Sequence, residues 1–379
     1  MFKNSESGVI LIAALTLLAA LALVGTTAFI VASTDVKIGA NFQTNQKALQ
    51  VAMAGAEQAR QTLRAANAAS ANTSNFSEEL AARVGSNGIL NGYVASTDDS
   101  PIASSSTLAS GYTYTVYLTN DSADGGSNTT DSNSRVILTS VATGPNNTKA
   151  VVETAVKLFE FSASSPATLY SKDSTTLNGS AINISGNDAG TCGGGNLTGV
   201  YVLSEPSNPN TITQNGSPSV SGNPPTQTGT MNLDLDSYVN TLKGGAAITL
   251  TADVSAGGNS TTTYGSSTSY TTVYADATQQ ADGELRLNNV TGYGILLVKG
   301  NLQLSGNINW NGIIVATGVI TATGGGSNAK NIQGQIYSGS SSLGDTTVSG
   351  SVTIGYNSCD VKKAMSSQPL KVVNWKQDY

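Results

Sequence analysis

Residues 9–34, VILIAALTLLAALALVGTTAFIVAST, carry no charge, and the first charged side chain after them is Asp35. As a helix this stretch spans roughly 39 Å at about 1.5 Å per residue, enough to cross a hydrocarbon core of about 30 Å. A short polar leader, MFKNSESG at residues 1–8, precedes it. A secretory signal has a more basic start, a shorter apolar core and a small-residue cleavage site beyond that core. Here the one evident processing point, between Gly8 and Val9, lies ahead of the apolar run. A cut there leaves the hydrophobic helix on the mature chain. Gly25 and the pair Thr26 and Thr27 loosen the helix to a degree that a membrane span tolerates. Lys3 favours a cytoplasmic N-terminus, which places the rest of the chain on the far side of the membrane.

Beyond Asp35 the helical pattern runs to about Ala69. Phe42, Leu49, Ala56 and Leu63 recur every seven residues, with Ala52, Met53 and Ala59 on the same side, while Lys47 and Glu57 fall elsewhere. Such a stripe packs either on the chain's own globular part, the favoured reading, or on neighbouring helices of other subunits.

Composition narrows what the remainder can do. Charged residues make up 11% of the chain, the net charge is −6 and Lys plus Arg total only 18, so no basic surface for nucleic acid is expected. The absence of histidine removes Ser-His-Asp and Cys-His catalysis and most catalytic zinc sites. Ser, Thr, Asn and Gly are abundant, but enough Val, Ile, Leu and Tyr are present to build a β-rich core.

Three strand-like runs, 112–118, 136–141 and 150–159, are separated by Gly/Asn/Asp turns and predict a small antiparallel sheet. Further on lies an internal repeat. GILLVKG at 294–300 aligns with GIIVATG at 312–318, an offset that also matches Leu302, Leu304 and Gly306 with Ile320, Ala322 and Gly324. Shorter fragments at 334–337 and 350–355 continue the series. Short apolar strands at constant spacing with Gly and Asn at the corners predict a β-helix or solenoid, whose coils bury their inner faces only by stacking. An up-and-down β-sandwich is the competing architecture. The proline-containing stretch 205–231 and the Gly/Ser/Thr-rich stretch 255–270 read as surface loops. Between them 233–243 reads as a helix, with Asp236 or Ser237 as its cap.

The chain therefore divides into a leader (1–8), a hydrophobic then amphipathic helix (9–70), a small β region (71–163), a solenoid-like domain (164–359) and a C-terminal cap or tail (360–379). The fold class is α+β. Cys192 and Cys359 are the only cysteines. In an exported protein a disulfide between them is plausible, worth about 4–5 kcal/mol in the chain-entropy model; two buried free thiols are the alternative.

Gly8 to Leu15, then 36–42, 46–52 and 54–57, occur in the order and spacing that resembles the PilX-type N-terminal segment of type IV pilus assembly proteins. The resemblance covers 8–64, about a sixth of the chain. It implies removal of the leader by a prepilin peptidase, methylation of the new N-terminus, storage in the bacterial inner membrane as a single-pass protein, and extraction into a pilus by other pilins and the assembly machinery. Major pilins carry glutamate at the fifth mature position, which is Ala13 here. That departure implies a minor subunit, at or near a fibre tip, rather than an abundant one. A type II secretion pseudopilin is the close rival, and a glycan- or surface-binding adhesin on a pilin carrier is the alternative in a different class.

No enzyme is expected. Asp282 and Glu284 alternate onto one face of a strand beside Arg286, a pattern that fits paired acid chemistry but better fits a solvated ion pair. Asp121, Asp124 and Asp131 sit in a turn whose oxygens could take calcium, although the spacing is not that of a calcium loop. No other cofactor is expected.

Overall fold

A computed structural model describes residues 6–69, 75–83, 100–105, 111–125, 127–158, 166–256, 260–324, 329–341 and 344–378. One helix, α1 (Glu6–Ala69), runs unbroken through both the apolar and the amphipathic stretches. A short helix α2 (Ser77–Ala81) follows, then four strands: β1 (Ala103–Ser105), β2 (Thr113–Asn120), β3 (Arg135–Thr143) and β4 (Lys149–Lys157). They pair antiparallel in chain order.

The second half of α1 lies on this sheet and buries most of the expected stripe, its alanines and Leu63, but not Phe42 or Met53. Ala48, Ala52, Ala56, Ala59 and Leu63 are buried, whereas Phe42 is 65% and Met53 47% exposed. A strict seven-residue repeat drifts around a straight helix with 3.6 residues per turn. Small residues win the contact because the sheet comes very close. A Cβ on Gly55 would stand 2.7 Å from both the Tyr114 ring and the Ser140 hydroxyl. Val116, Leu118, Val136, Leu138, Val152 and Val156 complete this core.

Among the described residues, 17 strands between 167 and 355 form a parallel β-helix with three faces. The offset of 18 seen in sequence is a coil of the helix: Gly294 pairs with Gly312, and Leu302 with Ile320. On the first face Val273, Leu296, Ile314, Ile336, Leu169 and Val200 stack in register, all pointing inward. At its corner Gly294, Gly312 and Gly334 lie one above another with φ of 130°, 131° and 144°. A Cβ on Gly312 would fall 2.1 Å from the Gly294 carbonyl oxygen, so both conformation and space require glycine. At another corner the asparagine ladder runs from side chain to backbone. Asn289 Oδ1 accepts from Asn307 N, and Asn307 Oδ1 from Ala329 N.

Coil order does not follow chain order. Residues 248–355 wind from one end of the stack to its middle, and 167–229 continue from the middle to the other end. The seam is the pairing of Ile336, Tyr337 and Ser338 with Leu169, Tyr170 and Ser171. The chain crosses between the two ends through 230–247, where α3 (Leu235–Leu242) packs Leu235, Val239 and Leu242 on the outside of the first face. Its cap is Asp234, whose carboxylate accepts from Ser237 N, not Asp236 or Ser237. The stretches 205–231 and 255–270 are not plain loops. They hold strands Ile212–Asn215, Ser219–Ser221 and Thr226–Gly229, and Thr262–Tyr264, which form parts of the two end coils. Their prolines mark corners or strand starts.

After the last coil, α4 (Ser358–Ser366) packs beside α3 on the first face. The remaining tail corrects the expectation of a solenoid cap. Lys371–Asp378 is a strand that leaves the solenoid and pairs antiparallel with β4, so that Lys376 meets Glu153. The sheet order is β1-β2-β3-β4 and then this C-terminal strand. The whole solenoid is thus inserted between two neighbouring strands of the first sheet. β4 has unpaired backbone groups on its outer edge, and the tail satisfies them.

Candidate functional site

Two features of the fold bear on function: the free half of α1 and the joint between sheet and solenoid. In α1, apolar side chains from Val9 to Val31 are exposed, for example Leu18 at 71% and Phe29 at 75%. The helix is long and apolar enough to cross a membrane, and none of its most apolar window is buried against the other described residues. Its threonine hydroxyls are satisfied inside the helix. Thr16 Oγ1 donates to the Ile12 carbonyl, Thr27 Oγ1 to that of Leu23 and Thr34 Oγ1 to that of Ile30. A hydroxyl that returns its proton to the preceding turn enters hydrocarbon without an unmet donor. Gly8 and Val9 fall within the first turn of α1, Val9 being 66% exposed; residues 1–5 of the expected leader lie outside the described residues.

The joint is held by α1 itself. Arg60 Nη1 donates to the Leu370 carbonyl at 2.7 Å, and Arg64 Nη1 to that of Ser367 at 3.3 Å. Both acceptors lie in the segment that carries the chain from α4 back to the first sheet. Arg60 also grips Glu57 through two hydrogen bonds, which hold the Glu57 carboxyl below its ordinary pKa. Cys192 and Cys359 do form a disulfide, with Cα atoms 5.1 Å apart. It ties the glycine-rich turn after strand Ile182–Ser185 to the start of α4. Asp188 from that turn accepts from Ser358 N, and Asn357 caps the helix. Tyr270 donates to Asp360 Oδ1 at 2.6 Å; burial, then this carboxylate, push the phenol up.

The first acidic group singled out in sequence forms the expected ion pair, and the second is tied into its turn. Arg286 lies 2.5 Å from Asp282 and 2.9 Å from Glu284, with Asp253 at 3.6 Å, on an exposed part of the solenoid. That is an ion-pair cluster at the surface. In the turn after β2 the carboxylates face N–H donors. Asp131 accepts from the backbone of Phe76, Asn133 and Arg135, and Asp121 from Ala123 N with Arg135 at 3.3 Å. Asp124 accepts through Oδ1 from Ser132 N. Among the described residues no group of three or more acids or cysteines is arranged to hold a metal. Asp131 is buried, which raises its pKa, and it locks α2 to the sheet.

Sequence reasoning missed the return of the tail, the seam of the solenoid and Lys330. This lysine is 1% exposed, sits in an inward column between Ile308 and Val352, and donates from Nζ to the Gly306 carbonyl at 2.7 Å. Burial lowers its pKa. The chain matches no protein-family profile, and no curated protein is similar to it. Among solved structures it is similar to the competence-associated pilin ComZ from Thermus thermophilus, with 12% identity and a TM-score of 0.26 over 76% of this chain and 86% of that one.

Proposed function

We propose that the chain is a non-enzymatic, pilin-type subunit: a minor component of a type IV pilus, at or near the fibre tip, with the solenoid as its outward head. The observation that carries this reading is α1. One unbroken helix leaves an apolar, membrane-length half free and packs its other half on a small antiparallel sheet. A subunit built this way rests in the inner membrane, head outside the cytoplasm, until the assembly machinery and other pilins draw it into a fibre. Ala13 in place of the pilin glutamate, and a head too bulky to repeat at every position, support a tip role over a repeating one. The same features suit a type II secretion pseudopilin.

The test is the N-terminal peptide mass of the envelope-located protein, with and without prepilin peptidase. We expect a methylated start at Val9 that disappears without the peptidase, and loss of pili in a deletion strain. A start at Met1, or a cut beyond residue 34, overturns the pilin reading.

A second reading, an adhesin carried by the pilin part, is favoured by the outer surface of the solenoid. Gln303, Thr321, Thr347, Thr176 and Thr213 stand in register on successive coils, an uncharged column of hydrogen-bonding groups. A glycan pull-down with the full chain separates an adhesin from a pure assembly factor.

A further inference from the structure

The joint between sheet and solenoid encloses a cleft of about 620 Å³. Its walls are the end of α1, the start and end of α4 with the disulfide, and the tight turn at 266–269. We propose that this cleft binds a carboxylated sugar, such as one unit of an acidic polysaccharide. The proposal does not rest on the pilin reading.

Three observations carry it. The first is charge. Arg64 and Lys363 both line the cleft, and among the described residues no carboxylate does. In a chain of net charge −6, a cleft lined by two cations and, among the described residues, by no acid is a local exception. Arg64 is oriented by its bond to the Ser367 carbonyl, which uses only one of its five N–H donors. Asp360, three residues before Lys363 on α4, is engaged by the Tyr270 hydroxyl. The second is the chemistry of the walls. Ser267, Thr268 and Ser269 expose hydroxyl groups along one side, and the half-buried Tyr270 ring, with Lys363 Nζ 6.0 Å from its centroid, forms part of the floor. Hydroxyls beside an aromatic face match a sugar ring, and the two cations match its carboxylate.

The third is what the cleft lacks. The turn closes on itself, Ser266 N donating to Ser269 O and Ser269 N to Ser266 O, so it offers no free strand edge to a peptide. Ala65 and Ala68 are the aliphatic side chains on the α1 side, too small to form a pocket for peptide side chains. A nucleic acid strand needs an extended track of cations, and here there are two.

The test is isothermal titration of the full chain in detergent micelles with a galacturonate tetramer. A neutral cello-oligosaccharide of equal length and a short single-stranded DNA serve as comparators. We expect binding of the acidic sugar only, weakening with salt, and a loss of about tenfold or more in Lys363→Ala that Lys363→Arg restores in part. Lys363→Ala removes a partly exposed side chain, so its folding is checked by an unchanged thermal transition. Equal binding of the neutral sugar, tighter binding of DNA, absence of binding, or full affinity in Lys363→Ala overturns the proposal. None of these outcomes bears on processing at Gly8, so the pilin reading stands or falls separately.

Discussion

The two β regions of this protein are stabilised by opposite means. In the solenoid each coil leans on the next through in-register aliphatic columns, and a local repeat of sequence carries most of the instruction. In the first sheet the order of strands is set by elements far apart: α1 supplies the core, and a strand more than 200 residues downstream of β4 completes the edge. The inserted solenoid has its own core, distinct from that of the sheet. The comparison teaches that a repeat can be lifted into a hairpin of an unrelated sheet, provided that its entry and exit lie close together. Here α1 fixes the exit through Arg60 and Arg64.

If the two cores are separate, damage to one should spare the other. Trp310→Ala offers the largest test. Trp310 is fully buried, its ring lies where a Cβ on Gly292 would be, and Nε1 donates to the Gly294 carbonyl. Truncation should cost about 3–5 kcal/mol. Amide exchange should show protection lost in the solenoid strands and kept in the first sheet; joint loss would mean a single unfolding unit.

Replacing Cys192 and Cys359 together by serine should cost about 2–4 kcal/mol. Because the bridge joins the turn after the strand Ile182–Ser185, in the seam coil of the solenoid, to α4, the cost should appear in the solenoid transition. An unchanged Tm under reducing and oxidising conditions would count against it.

Gly55→Val works on the other side. Its methyl groups meet the Tyr114 ring, and the overpacking should cost about 1–3 kcal/mol in the first sheet alone. Trp375, which stands on the C-terminal strand, gives a fluorescence signal for that sheet in a Trp310→Phe background.

The smallest expected effect is a pH step. Glu79 is buried at the α2 contact with α1, and burial raises its pKa above the ordinary 4.5. The unfolded chain ionises first. The stability of the sheet is therefore full below about 4.5 and falls as pH rises through the folded value. Asp131 acts in the same direction, while Glu57, paired with Arg60, acts in the opposite one. Glu79→Gln should shrink the step without abolishing it, as read by the sheet Tm between pH 4 and pH 8. A step of unchanged size would mean that Glu79 is not its source.

The candidate site was legible where chemistry is local. The uncharged run ahead of Asp35 and the glycine corners at an offset of 18 each lie within one short window. In α1 the expected stripe held at Ala52, Ala56, Ala59 and Leu63 and failed at Phe42 and Met53, because close packing on the sheet selects small side chains over large ones. The cleft at the joint left no signal, since Arg64, Tyr270 and Lys363 come from three distant segments.

The sequence alone determined that one long helix carries a membrane-length half, that the β-rich remainder stacks in coils, and that histidine chemistry is absent. Helix length, strand periodicity and residue inventory are properties of neighbours along the chain. Only the tertiary structure decided that 167–229 continues the stack begun at 248, that the tail returns to β4, and which residues share the joint. Those outcomes depend on which unpaired strand edge meets which other edge. Backbone hydrogen bonds are the same for every parallel pairing, so the choice falls to side-chain fit between segments that no local pattern connects.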